Sequence, residues 1–158
     1  MTDATHPSSA AVAGQDTFET RNTMSNRHWM AIAALTIAGC AASPRAIRMT
    51  TSPIIPAAQG TVTASSAANG NTALRIEVRH LAPPERVASG ATTYVVWAQA
   101  LGQNTSQNLG ALQVGSDLHG TLNTVTPLQI FTMFITAEPS PTTLMPSSSQ
   151  LLTASIQR

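Results

Sequence analysis

The sequence predicts an all-β domain over residues 60–158, an antiparallel, immunoglobulin-like β-sandwich of about seven strands. Three observations point to it. Strand-length segments rich in Val, Ile, Thr and aromatic residues recur at short intervals, bounded by Gly, Pro, Asn or Asp. The clearest of them, "TALRIEVRHL" (72–81), alternates with a period of two: Leu74, Ile76 and Val78 fall on one face, Arg75, Glu77 and Arg79 on the other. Charged residues make up only 9% of the chain, far below the roughly 25% of ordinary soluble domains.

Ahead of that domain the chain reads as a signal helix and a disordered tether. Residues 1–23 are polar and carry Asp3, Asp16 and Glu19. They read as a disordered extension or a misassigned start, because Met24 opens a compact basic beginning, "MSNRHWM". Residues 24–39 form a signal peptide. The uncharged run Trp29 to Gly39 is too short for a membrane span, which needs about 20 residues. It has the length and flanks of a secretory core, with Arg27 and His28 before it and small residues after. The run ends in Ile37-Ala38-Gly39-Cys40, which resembles the bacterial lipobox. The resemblance implies cleavage before Cys40, a diacylglyceryl group on its sulfur and an acyl chain on the new amino terminus. Two acyl chains anchor stably, since each buried methylene contributes about 0.8 kcal/mol. Cys40 is the single cysteine of the chain, so the mature domain has no disulfide and stands on packing alone. Residues 41–59, broken by Pro44, Pro53 and Pro56, read as a tether with a reach on the order of 60 Å. The apolar pair Ile54-Ile55 is the exception, as an edge strand or a docking point.

The strands follow in order. "TVTAS" (61–65) leads to the Asn-Gly turn at 69–71, and then to 72–81. "APPERVASG" (82–90) is a loop, since its prolines and glycine cannot continue a ladder. "ATTYVVWAQA" (91–100) is apolar on both faces and therefore central. "LGQNTSQN" (101–108) is a turn region. "LGALQV" (109–114) and "LHGTLNTV" (118–125) flank Gly-Ser-Asp. "QIFTMFITA" (129–137) runs into the loop "EPSPTTLMPSSS" (138–149), and "QLLTASI" (150–156) closes the domain. The expected inward set is Leu74, Ile76, Val78, Val96, Trp97, Leu112, Val114, Leu122, Phe131, Met133, Ile135 and Leu152.

"YVVWAQ", "NLGALQV", "LHGTL", "TPLQIFTMFITAEPSP" and "LLTASI" together resemble the extracytoplasmic domain of bacterial anti-sigma-K-type factors, over residues 91–156. The resemblance implies the sandwich fold and the envelope side of the membrane. Those factors carry a cytoplasmic sigma-binding domain and a membrane-spanning helix before the sandwich. Here a lipobox stands in their place, so direct inhibition of a sigma factor is not expected.

Net charge is +1 and all eight basic residues are arginine. With no basic stripe, nucleic-acid binding is excluded. No phosphate loop, paired-carboxylate motif or nucleophile elbow occurs, so no enzyme, cofactor or metal site is expected. The groups that could contribute to one are His80, Asp117, His119 and Glu138. His80 reads as a core-edge residue, Asp117 as a turn former that bonds its own backbone, and Glu138-Pro139 as a strand exit. Binding residues gather on loops held by rigid scaffolds, which makes Glu85 and Arg86 in the first long loop, and Leu144 and Met145 in the second, the candidate contacts. The expected role is that of a lipid-anchored envelope protein whose non-catalytic sandwich binds another envelope component or serves structurally. The alternatives are a regulatory or sensory domain related to anti-sigma factors, and a metal-binding envelope protein. Its partners are the membrane, through the lipid on Cys40, and an envelope protein. Ala41 after the cysteine, in place of Asp, favours the outer membrane where there are two.

Overall fold

Leu74, Ile76 and Val78 are buried while Arg75 and Arg79 face solvent, so the period-two pattern is a strand with one wet face. The computed structural model describes Pro44 and residues 46–158. Ten strands form two five-stranded sheets. They are β1 (Ala46–Arg48), β2 (Thr50–Thr51), β3 (Gln59–Ser66), β4 (Thr72–Arg79), β5 (Thr93–Ala100), β6 (Ser106–Ala111), β7 (Gln113–Val114), β8 (Gly120–Thr126), β9 (Ile130–Glu138) and β10 (Leu152–Gln157). One sheet has the order β1-β3-β4-β8-β7, the other β2-β10-β9-β5-β6. Every pairing is antiparallel. The main core lies between the sheets and includes Val62, Ile76, Tyr94, Val96, Met133 and Ile135.

Two crossings tie the sheets together at their edges. β1 pairs with β3 in the first sheet and β2 with β10 in the second, and Met49 between them is buried. β6 belongs to the second sheet and β7 to the first. Leu112 between them is buried, and its N–H donates to Tyr94 O at 2.8 Å. Such crossings place very short strands, β1, β2 and β7, at three of the four sheet edges, one way natural sheets limit unwanted pairing. The first needs Gly60: a Cβ there would lie 2.6 Å from Met49 Sδ and 2.7 Å from a Leu152 methyl. The second follows a bulge in which Val96 pairs Gly110 and Trp97 pairs Asn108, leaving Leu109 as the extra residue. Gly110 takes φ +123° there, a conformation that side chains disfavour.

The structure corrects the sequence reading in several places. Residues 46–59 are not tether. β1 and β2 pair with the domain, and Met49, Ile55 and Ala58 are buried in its core. Ile55 docks, whereas Ile54 stays exposed. Residues 82–90 hold a one-turn helix, α1 (Pro84–Val87). The turn region 101–108 gives up its last residues to β6, which starts at Ser106. Val114 is exposed instead of inward. Trp97 is buried, but outside the main core. The signal peptide, Ile37, Ala38, Gly39 and Cys40 lie outside the described residues. Among the described residues no helix is long and apolar enough to cross a membrane.

Strand direction gives the sandwich two ends. The turn at 52–58, the segment 80–92 with α1, the turn at 115–119 and the loop 139–151 share one end, here the upper. The turns at 67–71, 101–105 and 127–129, the entry to β1 and Arg158 share the lower end.

Candidate functional site

The upper end is organised by one buried carboxylate. Along β9 the even-numbered residues Phe134, Thr136 and Glu138 alternate with the core residues Met133, Ile135 and Ala137, so they fall on the outer face of the sheet. Such a face is normally wet, yet all three are buried. Val95 and Trp97 of β5 join Phe134 in a small second cluster. Trp97 and Phe134 stack with ring centroids 6.5 Å apart and planes inclined by 18°.

The loop after Glu138 covers this face and is stitched to it. Trp97 Nε1–H donates to Thr136 Oγ1 at 2.8 Å, and the Thr136 hydroxyl donates to Glu138 Oε1 at 2.6 Å. Ser147 N–H donates to Glu138 Oε1 at 3.0 Å, and its hydroxyl donates to Oε2. Asn108 Nδ2–H donates to the carbonyls of Pro141 and Thr143 at 3.1 and 2.9 Å, and Ala137 N–H to Ser148 Oγ at 3.1 Å. Burial pushes the Glu138 carboxyl up. The bonds from Ser147 and Thr136 stabilise the anion and outweigh that, so its pKa is held below the usual carboxylate range. Glu138 is thus more than a strand exit. It closes a chain of hydrogen bonds from Trp97 to Ser147.

With its base pinned, the loop holds its tip out. Leu144 and Met145 are 87% and 75% exposed. The neighbouring α1 carries Glu85 and Arg86, both exposed. Its segment is held by the buried Tyr94, whose hydroxyl donates to Ala82 O at 2.6 Å. Burial, and then the negative charge of Glu85, push the Tyr94 pKa up to about 12. Between the turn at 52–58, α1 and the loop lies a cleft of about 400 Å³ lined by Ile54, Val87, Ala88, Ser147, Ser148 and Leu151.

A second, smaller cleft of about 220 Å³ brings together Arg79, His80, Asp117 and His119. The sequence left open whether the two histidines meet. Both line this cleft because His80 leaves the β4 ladder with φ +56° and the Gly115–His119 turn folds beside it. Asp117 Oδ1 accepts from His119 N–H at 3.2 Å, the local backbone bond its turn position suggests. The His119 Nε2 atom is buried without a partner. Among the described residues no group of three or more His, Cys, Asp or Glu is placed to hold a metal ion.

The covered outer face was missed from sequence, although "YVVWAQ", apolar on both faces, carries its signal; in "FTMFITAE" only Phe134 breaks an otherwise polar outer face. No protein-family model matches the chain, and no curated protein is significantly similar to it.

Proposed function

We propose that the chain is a lipid-anchored envelope protein whose non-catalytic sandwich presents the upper-end loops to a protein partner. The observation that supports this best is the exposure of Leu144 and Met145 at 87% and 75% on a loop fixed by buried bonds. A loop already ordered loses little entropy on binding, and an exposed Leu-Met pair offers apolar area at a fixed place. Glu85 and Arg86 beside it would supply polar contacts at the rim.

The polarity of the fold supports the same reading. The chain enters β1 at the lower end, so an anchor at Cys40 leaves the upper end farthest from the bilayer. A strand of eight residues, as in β4, measures about 26 Å. Glu138 is committed to Thr136 and Ser147, which favours a structural role for it over acid–base chemistry.

The test is the double substitution Leu144→Ser, Met145→Ser in the full chain, followed by crosslinking in intact cells and thermal melting of the purified protein. The expected result is an unchanged melting temperature and loss of crosslinked partners. Unchanged crosslinks would overturn the partner reading. So would a melting temperature several degrees lower, because the pair would then be covering the core.

A further inference from the structure

We infer that the lower end of the sandwich rests on the phospholipid surface of the bilayer to which the chain is anchored. The inference builds on the lipid anchor at Cys40 proposed above and assigns an occupant to a face that reading left bare.

Three observations converge on that end. The first is where the chain goes. β1 begins at Ala46, and fully extended, residues 40–46 span at most about 20 Å. The long tether expected from residues 41–59 does not exist, because residues 46–59 belong to the domain. An anchor at Cys40 therefore holds the lower end close to the headgroups and leaves it little freedom to leave.

The second is apolar exposure. Leu101 and Ile130 are 79% and 52% exposed. Ala100 pairs with Phe131 where β5 ends and β9 begins, which sets Leu101 beside Ile130. On the other sheet, exposed Val125 pairs with Ala73 next to the lower end of β8. Val125, Ala73 and Pro44 line one open groove of about 440 Å³, so Pro44, two residues before β1, lies on this apolar ground. Apolar side chains at the headgroup boundary leave water favourably.

The third is charge. Residues 46–158 contain four carboxylate side chains. Glu85, Asp117 and Glu138 belong to the upper end, and Glu77 lies two residues from the upper end of β4. Among the described residues the lower end carries no carboxylate side chain, which limits its repulsion from anionic lipid to that of the main-chain carboxylate at Arg158. It does carry Arg158, whose guanidinium donates to Thr72 Oγ1 at 3.1 Å, to Gly70 O at 2.8 Å and to Ser66 Oγ. That cation is fixed over the 67–71 turn, where a negative surface would be attracted.

The test uses the full chain in its own membranes. A photo-crosslinking amino acid replaces Leu101, Ile130, Leu144 or Met145 one at a time, all exposed positions whose replacement leaves the core alone. After irradiation, mass spectrometry reads phospholipid adducts, and labelled palmitate reports acylation in the same cells. The expected result is lipid adducts at 101 and 130, and none above background at 144 and 145. Acylated protein without adducts at 101 and 130 would overturn the surface contact and leave the anchor standing. Adducts at 101 and 130 on protein that takes up no palmitate would keep the contact and remove the anchor. Adducts at 144 and 145 with none at 101 and 130 would reverse the orientation and overturn the inference.

Discussion

Glu138 shows how one side chain can hold an element that the sequence leaves loose. Its oxygens accept from Thr136 and twice from Ser147. Glu138→Ala removes the acceptor from buried donors and is expected to destabilise by about 1–3 kcal/mol, the range for a buried group left unpaired. Urea unfolding measures the loss. Glu138→Gln keeps one carbonyl acceptor and should lose less. The pH dependence has a definite sign. The folded carboxyl sits below its ordinary value, so its contribution is complete above the unfolded pKa of about 4.3 and disappears as pH falls through the folded value. Melting temperatures taken from pH 6 down to pH 3 should therefore fall more steeply for the natural chain than for the Gln variant. Tyr94 has the opposite sense. Its pKa is raised to about 12, so its contribution is complete below about 10 and is lost as pH rises towards 12. Tyr94→Phe should flatten that alkaline loss and cost about 1–3 kcal/mol by leaving the Ala82 carbonyl unpaired. The partners of both residues were not legible in the sequence. Ser147 and Ala82 meet Glu138 and Tyr94 only once a loop has folded back, and no local pattern encodes that return.

At the scale of elements, the regular strands were legible because each carries its own period. β4 alternates cleanly, and β5 and β9 are rich in β-branched and aromatic residues. β1 and β2 were not, since two or three residues are too few to show any period; β7 falls within the strand expected over 109–114, and only the break at Leu112 went unread. β1 and β2 are recognised only by their pairing partners, and the prolines at 44, 53 and 56 pointed to a tether. The cost of missing them can be measured. A fragment starting at residue 60 lacks Met49, Ile55 and Ala58, all buried in the core. Loss of a buried Met or Ile alone costs about 2–5 kcal/mol, comparable with a net stability of roughly 5–15 kcal/mol. The fragment from residue 60 should be unfolded or only weakly cooperative by circular dichroism, while a fragment from residue 44 should melt in one sharp step. Equal melting of the two would show that the crossing at Met49 contributes little. Trp97 is buried, as its apolar strand predicts, but on the outer face of the sheet and not in the main core. A strand buried on both sides gives no alternation to choose between them.

The whole molecule has a direction: chain entry, exposed Leu101 and Ile130, and Arg158 at the lower end; α1, the two clefts and the Leu144–Met145 loop at the upper. The fold class and the order of the main strands were legible from sequence, but this direction was not. It emerges from which turns share an end, and that depends on how the hairpins and crossovers assemble into two sheets. The proposed anchor gives the direction its meaning, because an acylated Cys40 would hold the lower end to the bilayer and turn the upper loops outward. The most direct measurement is therefore the intact mass of the mature protein extracted from membranes, together with that of Cys40→Ser. The expected mass is that of a chain beginning at Cys40 and carrying a diacylglyceryl group and an acyl chain, a species that the Cys40→Ser variant fails to form. A mature chain that retains residues before Cys40, or bears no lipid, would contradict the account.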